Sequence, residues 1–151
     1  MSSFEIIGGQ PLSGEIIPQG AKNEALQVIC ATLLSDEEIT INNIPNIRDV
    51  NKLIELLEYL GVKVNKLGKE SYSFQANRVD ISRIYTERYS QMAASLRGSI
   101  MLVGPMLARF KEAYIPTPGG DKIGRRRLDT HFTGFEKLGA NFSYDFDTKA
   151  Y

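Results

Sequence analysis

An internal repeat limits the fold more than any other feature of this chain. Ile29-Cys30-Ala31-Thr32-Leu33-Leu34 runs through acidic residues to Ile39-Thr40-Ile41. It aligns without gaps with Val103-Gly104-Pro105-Met106-Leu107-Ala108, which runs through Lys111 and Glu112 to Ala113-Tyr114-Ile115. Further on, Leu57-Glu58-Tyr59-Leu60-Gly61-Val62-Lys63-Val64 matches Phe135-Glu136-Lys137-Leu138-Gly139-Ala140-Asn141-Phe142. Each half reads as helix, short strand, loop, helix, then strand. The Leu-Gly pair is the expected helix stop, because glycine takes the left-handed conformation there without penalty. A period of roughly 75 residues exceeds the usual solenoid repeats, so the expectation is a domain built from duplicated α/β units.

Local patterns fill in this outline. Helices are predicted over Asn23–Leu34 and Asp49–Leu60; in the second, Val50, Leu53, Ile54, Leu57 and Leu60 form one apolar stripe. Strands are predicted at Glu38–Asn42, Val62–Lys66 and Tyr72–Gln75, the last two a hairpin turning near Gly68. The second half predicts a helix from Tyr89 to Ala108 bent at Gly104-Pro105. A strand at Ala113–Ile115, a helix over Leu128–Leu138 and a strand at Asn141–Tyr144 follow. Phe4–Ile7 and Gly14–Ile17 read as short strands belonging to neither repeat. Such a pair is marginal alone, so it is expected to pair with something outside this chain. The last residues, Asp147–Tyr151, read as the start of another hairpin, and the expectation is a chain cut short.

With 151 residues, of which 42% are hydrophobic and 24% charged, the chain can bury a core of its own. Lys plus Arg and Asp plus Glu each total 18, for a formal charge of zero. That balance argues against a general nucleic-acid or membrane-surface role and leaves only local basic clusters to act. Cys30 lies among Val28, Ile29 and Ala31 and reads as a buried thiol in a reducing, cytoplasmic setting. The N-terminus carries no basic-then-apolar signal, and the longest apolar-rich stretch, Ile100 to Ala108, is far below membrane-spanning length.

Chemistry concentrates in Pro118-Gly119-Gly120-Asp121-Lys122-Ile123-Gly124-Arg125-Arg126-Arg127-Leu128-Asp129, with three glycines, two carboxylates and four cations. Glycines let backbone N–H groups approach a ligand, and arginines hold phosphate oxygens through charge-assisted bonds. A carboxylate there repels the same anion, which points to a proton-handling group beside a phosphate site. The same composition also describes a solvated turn with a charge run. Gly20-Ala21-Lys22-Asn23 sits where a helix begins, and helix N-termini favour anions; it lacks the Gly-Lys-Ser/Thr of a Walker loop. Arg97, inside the apolar stretch Met92–Ile100, must pair or face a ligand. Arg83 and Arg88 read as surface charges, and His131 as a packed or surface residue. No metal-ligand spacing occurs, and no aromatic platform accompanies the arginine run.

Together these segments resemble the UDP-N-acetylglucosamine 1-carboxyvinyltransferases of the enolpyruvyl transferase family. The resemblance is carried by Gly20-Ala21-Lys22-Asn23, Asn43-Ile44-Pro45-Asn46-Ile47-Arg48-Asp49-Val50 and Leu96-Arg97-Gly98-Ser99-Ile100. Gly104-Pro105-Met106-Leu107-Ala108-Arg109-Phe110 and Pro118-Gly119-Gly120 through His131 add to it. It implies an inside-out α/β barrel of two similar domains, each of three βαβαββ-type units. Residues 22–151 would be about two units of an incomplete first domain, and residues 1–21 strands that join the second. The implied reaction moves the enolpyruvyl group of phosphoenolpyruvate onto the 3′-hydroxyl of UDP-N-acetylglucosamine, releasing phosphate without metal or organic cofactor. It is the first committed step of peptidoglycan synthesis, and so bears on cell-wall growth, shape and division.

Carried over by position, Lys22 and Asn23 match a pair contacting phosphoenolpyruvate, and Arg97 matches a substrate-site arginine. Arg126, Arg127, Leu128, Asp129 and Thr130 match the segment lining the UDP-sugar, with Arg126 also within reach of phosphoenolpyruvate. Arg127 replaces a proline, which leaves that position a backbone role. Asp121 stands where most members have the cysteine that protonates the substrate or assists product release, and that fosfomycin alkylates. The resemblance therefore implies a fosfomycin-insensitive enzyme with Asp121 as its catalytic residue, acting as general acid or in product release. Its partners would be the two small-molecule substrates and the C-terminal part of the same enzyme, with no nucleic acid or membrane. The general base falls beyond residue 151, so this stretch alone is expected to be inactive. Two other readings stay open: a 3-phosphoshikimate 1-carboxyvinyltransferase-like enzyme, and a non-catalytic module binding anions or nucleic acid.

Overall fold

The computed structural model describes residues 3–119 and 127–151. The first repeat is α1 (Lys22–Ala31), a 3₁₀ turn (Thr32–Leu34), β1 (Glu38–Ile41), α2 (Arg48–Tyr59), β2 (Lys63–Lys66) and β3 (Tyr72–Gln75). The predicted stripe on α2 folds the helix inward: Val50, Leu53, Ile54, Leu57 and Leu60 are all buried. The helix stops as expected. Gly61 takes φ +101°, its N–H reaches Glu58 O, and Val62 N–H reaches back to Leu57 O. β3 is the central strand, antiparallel to both β1 and β2, and the register aligns Ile39, Phe74 and Val64 in one row. Phe74 is fully buried in that row.

The second repeat follows the same plan in shorter form. A 3₁₀ turn (Ile81–Tyr85) and α3 (Glu87–Ala94) lead to a 3₁₀ segment (Arg97–Leu102), α4 (Val103–Phe110) and α5 (Asp129–Lys137). α5 ends like α2: Gly139 has φ +95°, Gly139 N–H reaches Glu136 O, and Ala140 N–H reaches Phe135 O. Ile115 and Tyr151 exchange both backbone hydrogen bonds, and Ala150 bridges Pro116 on one side and Asp145 on the other. The segment around Ala150 thus takes the central place that β3 holds in the first repeat. These pairings are single bridges, so the predicted strands at Ala113–Ile115 and Asn141–Tyr144 are not formed as strands. The ladder needs consecutive pairs, and each contact here spans one residue pair.

One further expectation is corrected. The long helix from Tyr89 to Ala108 is broken at Ser95-Leu96, not bent at Gly104-Pro105. Pro105 lies in the first turn of α4, where its missing N–H costs no hydrogen bond. The N-terminal segments Phe4–Ile7 and Gly14–Ile17 form no strand, and Phe4, Ile6, Ile7, Leu12, Ile16 and Ile17 are each more than 80% exposed. A strand pair without a partner sheet is only marginally stable.

The core lies between α1, α2, α3 and the 97–102 turn, with Ile29, Leu33, Leu56, Leu57, Ile84, Tyr89 and Leu102 at its centre. Cys30 is buried there, as expected, and burial pushes its thiol pKa well up. Tyr89 is buried close by, and its phenol is raised by burial and then by the neighbouring Cys30. Arg83 and Arg88 do more than face water, since both guanidinium groups stack on Tyr59, at 5.6 and 4.9 Å from the ring centroid.

Candidate active site

Three helices begin at one place. α1 starts after Ala21, α2 after Ile47 and α5 after Leu128, and none of these N-terminal residues supplies a side-chain cap. Each helix end carries partial positive charge, which these starts turn toward one place. Gly20 brings the first two together: a Cβ there would collide with Asn43 O and lie 3.1 Å from Pro45 Cδ. The backbone entering α1 thus touches the loop entering α2, which only glycine permits.

Between these helix starts opens a cleft of ≈ 660 Å³. Lys22, Asn23, Leu26 and Gln27 line it from α1, and Arg48, Asp49 and Lys52 from α2. Ser95, Arg97, Gly98, Ile100 and Met101 close one wall, and Arg127, Leu128 and His131 another. Among the described residues, five permanent cations face it against one carboxylate, that of Asp49. Lys22 Nζ donates to Asp49 Oδ2 at 3.0 Å, a pair in which both side chains are more than 40% exposed. Such a pair holds the lysine at the mouth but adds little stability. A second, smaller pocket of ≈ 320 Å³ shares Arg97, Arg127 and Leu128 and adds Asp129 and Phe132. There Arg127 Nε and Nη2 grip the Asp129 carboxylate at 2.9 and 2.8 Å.

The candidates from the sequence fall into three groups. Lys22, Asn23, Arg97, Arg127 and Leu128 lie together on the main cleft, and Asp129 borders its annex. Thr130 is exposed on the first turn of α5 and lines neither cavity. Asp121 and Arg126 lie outside the described residues. Arg48, Lys52 and His131 were missed as cleft residues. The signal for the first two was present: they sit one turn apart at the start of a helix whose preceding residue, Ile47, cannot cap it. Arg127 makes side-chain contacts that the expected backbone role did not include.

The arrangement suits a ligand with clustered negative charge. Converging helix N-termini and arginines bind phosphate oxygens, and Leu26, Ile100 and Met101 supply an apolar floor. No group of three or more His, Cys, Asp or Glu side chains among the described residues could hold a metal ion. No helix there is long and apolar enough to cross a membrane.

The fold is that of an enolpyruvyl transferase. Over 95% of this chain and 30% of the other, it superposes with a TM-score of 0.73, at 19% identity, on the enolpyruvyl transferase NikO from Streptomyces tendae. Residues 6–150 match the family model described as EPSP synthase (3-phosphoshikimate 1-carboxyvinyltransferase), and the chain belongs to that family. It is 59% identical over 151 residues to a UDP-N-acetylglucosamine 1-carboxyvinyltransferase of Bacteroides fragilis, covering all of this chain and 35% of that protein. With a protein of the same name from Bacteroides thetaiotaomicron the identity is 61% over 145 residues, covering 96% and 33%. With that of Treponema denticola it is 43% over 145 residues, again covering 96% and 33%. The chain thus spans about a third of the length of the curated relatives it matches.

Proposed function

We propose that the protein carrying this chain transfers the enolpyruvyl group of phosphoenolpyruvate to the 3′-hydroxyl of UDP-N-acetylglucosamine, with release of phosphate. The observation that carries the reading is the convergence of three uncapped helix N-termini and five cations on one cleft. One substrate presents a phosphate monoester and the other a diphosphate to such a surface. Relatives at 59% and 61% identity bear the name of this activity, which favours the UDP-sugar over shikimate 3-phosphate as acceptor. The family fold would then be completed as an inside-out barrel by residues beyond this chain, with the N-terminal segment joining the second domain. The role would lie in peptidoglycan synthesis, in the cytoplasm.

In this reading Lys22, Asn23 and Arg97 hold the phosphates and neutralise charge as the phosphate leaves. Arg127 orients Asp129 toward the sugar, and Leu128 packs beside it. Asp121 delivers the proton to the methylene carbon of phosphoenolpyruvate or assists product release. A carboxyl group can act as an acid near neutrality only if its pKa is raised by burial or by anionic substrate. Cations already neutralised by bound phosphates would no longer oppose that rise. The test is phosphate release by the full-length protein from phosphoenolpyruvate with each acceptor. Release is expected with UDP-N-acetylglucosamine and not with shikimate 3-phosphate, and Arg97→Ala should lower kcat/KM by about 100-fold, the scale of one charge-assisted contact in a substrate site. Release with shikimate 3-phosphate alone would overturn the assignment.

A further inference from the structure

We infer that Lys52 is a positioning residue, which clamps the C-terminal end of α3 and so aims Arg97 into the cleft. The inference rests on the reading of Arg97 as a phosphate ligand. The last carbonyls of a helix lack intrahelical partners and carry partial negative charge. At the end of α3, Ala94 O accepts from Gly119 N–H at 2.8 Å. Ser95 O and Ser95 Oγ both accept from Lys52 Nζ at 3.2 Å. Ser95 Oγ in turn donates to Met92 O at 2.8 Å. A cation from α2 thus closes a helix 43 residues further along the chain.

This helix end is also where the chain changes direction. Ser95 keeps helical angles (φ −76°, ψ −7°), Leu96 is extended (φ −132°, ψ 118°), and Arg97 opens the next turn. Leu96 is only 1% exposed and fixed in the core. On the far side of Arg97, Gly98 lies against α1, where an added Cβ would come within 3.0 Å of Leu26 Cδ1. The backbone of Arg97 is therefore held between α1 on one side and the Lys52 clamp on the other. Gly119, which leads into the glycine-rich segment, hangs from the same helix end. Lys52 spends two of its three donors on Ser95, which fits a clamp better than a phosphate ligand.

A double-mutant cycle on the full-length protein separates the possibilities, with UDP-N-acetylglucosamine affinity read by calorimetry at fixed ionic strength and thermal melting read alongside. Lys52→Met is expected to weaken binding ~10-fold, Lys52→Arg to restore most of it, and Lys52→Met to cost under ~2-fold in an Arg97→Ala background. Melting temperatures should stay within about 3 °C of the parent, since the pair is exposed. If Lys52→Met leaves affinity unchanged while Arg97→Ala weakens it, the positioning role falls and the cleft reading stands. Fully additive losses would make Lys52 a direct ligand, which also overturns the inference. A large melting drop that accompanies lost affinity in both backgrounds would reduce Lys52 to a structural residue. No effect of Arg97→Ala would overturn the reading of the cleft itself.

Discussion

At Cys30 the thiol is 1% exposed, and burial raises its pKa, so the nucleophilic thiolate is scarce at neutral pH. Asp121 carries a carboxylate, a poor nucleophile toward an epoxide. On the proposed function, neither side chain is expected to be alkylated by fosfomycin, though for different reasons. Intact-mass measurement after incubation with the drug should show the unmodified protein, and the Asp121→Cys variant should gain one adduct; an adduct on the parent protein would contradict this. Residue by residue, the sequence disclosed what composition and neighbours determine. Cys30 read as core because its neighbours are apolar, and it is buried; Lys22 stood out because it opens a helix, and it lines the cleft. Arg48 and Lys52 were passed over despite their place at an uncapped helix start, because a cation on an amphipathic helix normally belongs to the solvent face. Only the cleft between helices gives them a different neighbour.

At the scale of elements, local signals sufficed where chemistry is local. The stripe on α2 and the Leu-Gly stops of α2 and α5 are set within each segment, and they form as expected. The break at Ser95-Leu96 was not legible. It depends on Lys52 and Gly119, neither of which is near in sequence, while Gly104-Pro105 draws attention to a place where a helix can begin without strain. Two glycines test this account of close approach. Gly119 donates to Ala94 O, and a Cβ on it would collide with that same oxygen. Gly134 lies in the middle of α5 with nothing within 4 Å of such a Cβ. Gly119→Ala should cost roughly 1–3 kcal/mol through the lost contact, whereas Gly134→Ala should gain about 0.5–1 kcal/mol through helix propensity. Denaturant unfolding reads both, and equal effects at the two sites would contradict the account.

Across the whole molecule, duplication organises both the fold and the cleft. Each repeat contributes a helix that ends in a left-handed glycine and begins, uncapped, at the cleft: α2 from the first and α5 from the second. The repeat was visible in the sequence because helix stops and apolar stripes recur at fixed spacing. The second set of strands was expected from the same pattern but does not form as strands, since single bridges around Ala150 replace full ladders. The cations of the cleft come from α1, α2, the 97–102 turn and the segment before α5, so they meet only once the two repeats pack together. The direct test is a nuclear magnetic resonance titration of the protein with UDP-N-acetylglucosamine, following side-chain signals of lysine and arginine. Signals of Lys22, Arg48, Arg97 and Arg127 are predicted to shift together along one saturation curve, while those of Arg83 and Arg88 stay in place. Shifts confined to the latter pair, or none at saturating ligand, would contradict a shared phosphate cleft.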